Sequence, residues 1–301
     1  MLSFVDAAVA AFQELVDYAG LYPPASLPLD EVVQKFARYR AEPAAWMLGR
    51  LIVPAERLIE CDALAAAHGA RPDSPWPVSV LVGGVDVLSK NTATIAAFGA
   101  RTDPVVSVKA IEAAASSADA VRQLASSYPA EIDRFIEVPI DADPAPLLEA
   151  IADAGCAAKI RTGGVTADRI PSTRLVARVL ARAATAGVPI KATAGLHHAI
   201  RADRRLTYAP DSPRGVMHGF ANVVFAAALL SAGKIDEGLA DALLDDDRPE
   251  VFKFGGRAGS WLNAVLTYSE FAHARHALLR SVGSCSFEEP AAELLELGWI
   301  T

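Results

Sequence analysis

Short apolar runs alternate along this chain with longer stretches in which apolar residues recur at helical spacing. The runs are rich in Val, Ile and Leu, as expected for strands of a parallel sheet that is covered on both faces. They predict eight strands, near residues 16–21, 46–53, 77–82, 105–111, 135–140, 157–161, 188–193 and 251–255. The longer stretches predict helices that pack on one side, among them 29–39, 116–127, 145–154, 172–186 and 219–240.

Regular βα alternation favours a closed (β/α)8 TIM barrel over an open sheet in a chain of 301 residues. No linker rich in Gly, Ser and Pro divides the chain, so residues 1–301 are expected to form a single barrel domain. Two segments exceed ordinary connection length: an extended loop at 195–215, after the seventh strand, and a C-terminal tail from Trp261 that reads as helical. The loop would lie over the carboxyl-terminal face, where barrel enzymes hold their active sites.

Composition restricts the partners of this protein. A net charge of -8 without a basic stripe argues against nucleic acid. The three cysteines are scattered without CxxC spacing, which favours a reducing compartment over a disulfide framework or a zinc ribbon. Cys285 is expected to be structural, because no base is singled out near it in the sequence.

Neither a secretory signal nor a membrane span is expected. The first twenty residues carry Asp6, Glu14 and Asp17 and lack a basic start, unlike a secretory signal. The longest uncharged stretch, 215–233, is rich in small residues, which favours a buried helix over a membrane span. We therefore expect a cytoplasmic protein that binds a small anionic molecule, and the sequence leaves open whether it forms a homo-oligomer.

More than half of the seven lysines lie inside predicted strands, where a solvated lysine is not expected: Lys109, Lys159, Lys191 and Lys253. Such a lysine must face a site or find a buried partner. Lys159 and Arg161 share one face of their strand, as do Lys191 and Thr193. If the two strands are neighbours, two ammonium groups meet inside the barrel. Their repulsion would lower a lysine pKa and free a neutral amine to attack a carbonyl.

Small residues follow both lysine strands and would let backbone N–H groups approach a phosphate closely. The segments Lys159-x-x-Thr162-Gly163 and Lys191-Ala-Thr193-x-Gly195 resemble the paired lysine strands of class I aldolases of the deoxyribose-phosphate aldolase type. The resemblance covers these two strands only. It implies that Lys159 forms a Schiff base with the substrate and that Lys191 perturbs its pKa.

One departure from that family is Arg161, which stands where a small polar residue is usual and predicts a different substrate pocket. The family's acidic proton relay has Glu137 as its first candidate here and Glu112 as its second. For either glutamate the alternative is a carboxylate that only neutralises the lysines. The residues expected to bind substrate are Arg161, Thr162, Gly163, Gly164, Thr193, Gly195, His197, His198 and Lys109.

The leading hypothesis is a Schiff-base, class I aldolase-like carbon–carbon lyase without cofactor or metal, acting on a small anionic carbonyl compound such as a phosphorylated one. A metal-dependent lyase or hydrolase that uses His197, His198 and His218 is the first alternative, although no HxH or HExxH spacing supports it. The second alternative is a non-catalytic anion-binding barrel. The arginines of segment 195–215 would suit phosphate or carboxylate capture, or would simply be solvated.

Overall fold

A computed structural model of the protein describes residues 6–301 and contains the predicted parallel barrel. The strands are β1 (Val16–Tyr18), β2 (Leu48–Pro54), β3 (Trp76–Gly83), β4 (Val106–Ala114), β5 (Asp133–Glu137), β6 (Ala157–Arg161), β7 (Ile190–Thr193), β8 (Ala202–Arg205), β9 (Arg214–Met217), β10 (Phe252–Gly255), β11 (Ala258–Trp261), β12 (Ala264–Thr267) and β13 (Leu279–Ser284). Eight parallel strands close in the order β1-β13-β7-β6-β5-β4-β3-β2. The protein is thus a (β/α)8 TIM barrel.

Helices alternate with the barrel strands and bury their apolar faces against them. The helices are α1 (Ala7–Phe12), α2 (Leu29–Tyr39), α3 (Leu58–Ala67), α4 (Leu88–Gly99), α5 (Ala118–Ser127), α6 (Ala145–Asp153), α7 (Thr173–Ala186), α8 (Phe220–Ser231), α9 (Glu237–Asp245), α10 (Tyr268–Ala277) and α11 (Glu288–Glu296). The predicted helix 219–240 is instead two helices. Gly233 separates α8 from α9 with a φ of +65°, a conformation that favours glycine.

The predicted eighth strand was wrong in its position. Residues 252–255 form β10, which pairs antiparallel with β11 in a small sheet outside the barrel, and Lys253 is exposed there. The eighth barrel strand is β13, which pairs with β1 and β7. Its sequence Leu-Arg-Ser-Val-Gly-Ser lacks a continuous apolar run, and Ser281 donates a hydrogen bond to Asp17 inside the barrel. Apolar pattern alone therefore selected the more hydrophobic segment.

Both long segments have more structure than the sequence indicated. The loop after β7 contains an antiparallel hairpin, β8–β9, in which Ala202 pairs with Met217 and Arg205 with Arg214. The C-terminal tail is not only helical, since it contributes the rest of the small sheet and the barrel strand β13 before α11 begins. Ser286 accepts a hydrogen bond of 3.3 Å from the backbone N–H of Glu289 at the start of α11.

The large apolar core lies between strands and helices, whereas a separate small cluster, Ala110, Phe135 and Ala157, is formed by residues of β4, β5 and β6. Charged side chains occupy the barrel beside this cluster. Within residues 6–301, no helix is both long and apolar enough to cross a membrane.

Candidate active site

Five charged side chains form a buried chain of ion pairs inside the barrel. They alternate in sign and are, in order, Asp17, Lys191, Glu112, Lys159 and Glu137. The Lys191 amine contacts the Asp17 carboxylate and lies 2.8 Å from Glu112 Oε1. The Lys159 amine lies 3.0 Å from Glu112 Oε2 and 2.9 Å from Glu137 Oε2. Glu112 therefore bridges the two lysines.

Strand register brings these groups together. Lys159 on β6 pairs directly with Lys191 on β7 and with Glu137 on β5. The prediction that the two lysine strands are neighbours is confirmed. Glu112 comes from β4 and Asp17 from β1, across the barrel. A closed barrel lets inward side chains from non-adjacent strands meet, which an open sheet does not.

Hydroxyl and backbone N–H groups donate further hydrogen bonds to two carboxylates of this ion-pair series. Ser79 donates a hydrogen bond of 2.7 Å to Glu112, and Ser281 donates one of 2.9 Å to Asp17. The backbone N–H of Arg50 also donates to Asp17, at 2.7 Å. Buried carboxylates need such donors, because an unpaired charge in the interior is costly.

Accessibility increases along the chain. Lys191 is completely buried, whereas Lys159 keeps 7% exposure and the Glu137 side chain 26%. Of the two lysines in this series of ion pairs, Lys159 is therefore the one whose amine a small molecule can reach more easily.

Neighbouring charges shift the pKa values of Glu112 and Lys159. Burial alone raises the pKa of Glu112, but the ammonium groups of Lys191 and Lys159 outweigh it and lower that pKa to about 2. Burial likewise lowers the pKa of Lys159, yet the carboxylates of Glu112 and Glu137 outweigh it and hold that pKa above its usual value. The expected depression of the Lys159 pKa was wrong, because a carboxylate stands between the two lysines where the sequence suggested direct repulsion.

The amino-terminal side of the barrel holds a separate ion cluster. Arg50 and Arg280 both bind Asp133, the first residue of β5, at 2.5 Å and 2.9 Å. The guanidinium of Arg50 also lies over the Phe135 ring, 5.8 Å from its centroid. Arg50 therefore does not add positive charge to the carboxyl-terminal opening of the barrel. It belongs to the cluster around Asp133.

Small residues after β6 and β7 pack these two turns against each other. A Cβ on Gly163 would lie 3.0 Å from the carbonyl oxygen of Ala194 and from Gly195 Cα. The Thr162 hydroxyl donates to the carbonyls of Thr193 and Ala194, at 3.1 Å and 2.8 Å. The hydroxyl of Thr162 is thus used within the protein.

The remaining members of this turn pair follow the same pattern. Thr193 donates from its hydroxyl to the carbonyl of Ile160 at 3.2 Å. A Cβ on Gly164 would lie 2.5 Å from Arg169 Cβ. These small residues serve the close approach of two turns, and their contact with substrate stays a prediction.

Two predicted substrate-binding cations are exposed, but they differ in position. Arg161 ends β6 on the same face as Lys159 and makes no ion pair with any of residues 6–301. Lys109 lies in β4 where the register between Val78 and Ser79 is irregular. Within the described part of the chain, Lys109 has no contact with the buried ion pairs. Arg161 therefore fits a role in binding an anion at the opening better than Lys109 does.

The three histidines of the metal hypothesis have separate partners. His197 Nδ1 lies 2.9 Å from the Ser284 hydroxyl, and His198 Nδ1 lies 2.6 Å from Glu293. His218 Nε2 lies 2.8 Å from the carbonyl of Pro171. Across residues 6–301, no group of three His, Cys, Asp or Glu side chains has metal-binding geometry. The histidines therefore do not form the three-ligand site that this hypothesis needs.

Sequence reasoning missed the neighbour of Cys285. Its sulfur lies 3.5 Å from His197 Nδ1, because Cys285 follows β13 and His197 follows the adjacent strand β7. Burial raises the pKa of the Cys285 thiol to about 11. Burial and then His198 lower the pKa of His197 to about 4. Both groups are neutral at ordinary pH, so the thiol is not activated as a nucleophile.

Tyr22, in the loop after β1, is a second residue that sequence reasoning missed. Its hydroxyl is buried and has no hydrogen-bond partner among residues 6–301. Burial raises the pKa of this phenol, and the carboxylates of Glu112 and Glu56 raise it further. The phenol therefore stays protonated and keeps a free donor near Glu112. In the sequence, Tyr22 lies in the segment Gly-Leu-Tyr-Pro-Pro, which does not indicate that its hydroxyl is buried near Glu112.

The fold and the site together define a TIM barrel with a buried lysine–carboxylate chain inside it. No protein-family profile matches the sequence, and no curated protein matches it. Among solved structures, the chain is similar to a nitroalkane oxidase from Streptomyces ansochromogenes at 14% identity and a TM-score of 0.34. That similarity covers 64% of this chain and 62% of the oxidase chain. A similarity at this level says nothing about chemistry, so the function must be argued from the site.

Proposed function

We propose that the protein is a Schiff-base, class I aldolase-like carbon–carbon lyase in which Lys159 attacks a small anionic carbonyl compound. One observation carries the proposal: the Lys159 amine is the accessible lysine of a buried ion-pair chain and has Glu137 beside it at 2.9 Å. The resemblance of the two lysine strands to class I aldolases of the deoxyribose-phosphate aldolase type supports the same assignment.

The proton balance of the first step fits this arrangement. The Lys159 ammonium gives a proton to Glu137, and the neutral amine attacks the carbonyl carbon. A proton then moves from nitrogen to oxygen, and Glu137 returns its proton so that the hydroxyl leaves as water. Ammonium and carbonyl thus become iminium and water, and the net charge at Lys159 stays positive. Glu112 therefore stabilises the iminium as it stabilises the ammonium.

The iminium then accepts electrons from the bond that breaks. In the cleavage direction, a base takes the proton of the substrate hydroxyl that lies β to the iminium carbon. The C–C electron pair moves into the iminium, and an enamine and an aldehyde result. Glu137 is the proposed base because it is the most exposed of the three carboxylates in the buried ion-pair series. Arg161, exposed on the same strand face, is the proposed contact for an anionic group of the substrate.

A non-catalytic anion-binding barrel is the second candidate. The raised pKa of Lys159 favours it, because a lysine held as ammonium binds an anion without further change. The two candidates differ in one property: only the first forms a covalent bond between Lys159 and a carbonyl compound.

Borohydride trapping tests the proposal. The protein is incubated with acetaldehyde, acetone, pyruvate, dihydroxyacetone or dihydroxyacetone phosphate, reduced, and analysed by intact mass and peptide mapping. We expect an adduct on Lys159 that is absent in Lys159→Arg, a variant that keeps a positive charge between the carboxylates. Lys253→Ala, at an exposed lysine of β10, is the matched control and should label like the wild type. Labelling of Lys159→Arg at the wild-type level would refute the proposal.

The pH dependence of trapping adds a second criterion. Because the pKa of Lys159 is raised, the neutral amine is scarce near neutral pH and increases on the alkaline side. The trapping rate should therefore still rise above about pH 9. For a lysine with a lowered pKa, the rate would already have reached its plateau at that pH. A plateau below pH 8 would contradict the protonation assigned to Lys159.

A further inference from the structure

A cleft of about 310 Å³ lies between the hairpin β8–β9, the loop after β7 and the start of α11. Its polar lining includes His197, His198, Arg204, Arg205, Tyr208 and Glu289. In a TIM barrel, loops after the seventh and eighth strands frequently form the binding site of an anionic substrate group. Here those loops follow β7 and β13.

Arg204 is held in place without being fully satisfied. Its Nη2 lies 3.6 Å from Glu293 Oε1. Glu293 is itself fixed by His198 at 2.6 Å and by the backbone N–H of Ala199 at 2.7 Å. The Nε of Arg204 is buried and has no hydrogen-bond acceptor among residues 6–301. A buried N–H without an acceptor is costly, and a bound oxyanion would supply one.

Arg205 adds a second cation to the cleft. It is exposed and forms no ion pair within the described part of the chain, whereas Arg214, opposite it in the hairpin, is bound to Asp203 at 3.0 Å. The hairpin thus carries one neutralised arginine and one available arginine at paired positions. Only the available one lines the cleft.

The other groups of the lining do not cancel this charge. His197 is neutral, because burial and His198 lower its pKa to about 4. Glu289 is the one carboxylate in the lining of this cleft, and it accepts a hydrogen bond of 3.2 Å from the Tyr208 hydroxyl. Burial raises the pKa of Glu289. In the lining itself two guanidinium groups therefore meet one carboxylate, Glu289, while Glu293, 3.6 Å from Arg204, is also bound by His198 and Ala199.

We propose that this cleft binds an oxyanion, a phosphate monoester or a carboxylate, through Arg204 and Arg205. Under the proposed function, this oxyanion is an anionic group of the substrate that Arg204 and Arg205 bind together with Arg161. This link to a substrate rests on the proposed function, whereas oxyanion binding itself does not.

Titration of the whole protein with anions tests the binding site. Inorganic phosphate and acetate are added at constant ionic strength, and binding is followed by calorimetry. We expect saturable binding that weakens about tenfold or more in Arg204→Gln and in Arg205→Gln, because each removes a charged hydrogen-bond donor. Arg214→Gln, in the same hairpin but paired with Asp203, should stay within about twofold of the wild type.

The anions distinguish the two ligand chemistries. Tighter phosphate binding identifies a phosphate monoester, and tighter acetate binding identifies a carboxylate. Absence of saturable binding for both anions would overturn the proposal, as would equal weakening in Arg214→Gln and Arg204→Gln.

Trapping experiments separate this proposal from the proposed function. With dihydroxyacetone phosphate as the probe, Arg204→Gln should raise the half-saturating concentration for Lys159 labelling about tenfold if the cleft selects phosphate. With dihydroxyacetone, which has no phosphate, the same variant should match the wild type. If no carbonyl probe labels Lys159, the proposed function fails, while the anion titration still decides whether the cleft is an oxyanion site.

Discussion

The Lys159 amine and the Glu137 carboxylate lie at paired positions of neighbouring strands, with Nζ and Oε2 2.9 Å apart. Glu112 holds the same amine from the other side, at 3.0 Å. One carboxylate is deeply buried and the other is partly exposed, so the two can have different tasks. Glu112 fixes the charge of the amine, and Glu137 is the one available to exchange protons.

Glu137→Gln should slow imine formation without removing the lysine. The amide keeps the shape of the side chain but cannot accept the proton of the ammonium. We expect the borohydride-trapping rate at Lys159 to fall roughly 100-fold, within the usual range for general acid–base groups. Glu131→Gln, at an exposed glutamate just before β5, is the control and should trap at the wild-type rate. An unchanged rate in Glu137→Gln would show that another group moves the proton.

Glu112 should make stability depend on acid pH. Its pKa is lowered from 4.5 to about 2 in the folded protein, so its contribution is present above pH 4.5 and is lost as pH falls toward 2. Glu112→Gln should destabilise the protein by roughly 3–5 kcal/mol at pH 7, because it leaves two buried ammonium groups without their shared partner.

Urea unfolding between pH 7 and pH 2 measures this dependence. The difference in free energy of unfolding between the wild type and Glu112→Gln should shrink as pH falls through this range. A difference that stays constant down to pH 2 would mean that the Glu112 carboxyl is not held ionised by the lysines.

Gly163→Ala should disrupt the contact between the turns after β6 and β7. The new Cβ would lie 3.0 Å from a backbone oxygen and a backbone Cα, neither of which can move as a side chain does. We expect a loss of roughly 1–3 kcal/mol in thermal or urea unfolding, as for other overpacked sites. Gly99→Ala is the matched control, because a Cβ there meets no atom within 4 Å and its φ is ordinary. Equal stability of the two variants would refute this account of the turns.

Cys285 should be slow to alkylate in the folded protein despite its histidine neighbour. With a thiol pKa raised to about 11, little thiolate exists near pH 7.5. Intact mass after iodoacetamide treatment should show no rapid labelling at Cys285. The same treatment in concentrated urea should label it readily, which controls for reagent quality. Rapid labelling in the native state would show that His197 and Cys285 exist as an ion pair.

The barrel and the two central lysines could be predicted because both depend on local patterns. Apolar runs and helical spacing identify strands and helices from neighbouring residues, and alternate residues of a strand share a face. These rules gave the barrel, the adjacency of β6 and β7, and the inward direction of Lys159 and Lys191. They failed at β13, where polar side chains inside the barrel remove the apolar signal.

The sequence by itself determined which strands carry the lysines, because strand periodicity is a property of consecutive residues. Only the tertiary structure decided which carboxylates pair with those lysines and raise the pKa of Lys159. Asp17, Glu112 and Glu137 come from separate strands, and closure of the barrel brings Glu112 between the two amines and places Asp17 and Glu137 at their outer sides. An ion pair depends on distance in space, and distance across a closed barrel is not a property of any single strand.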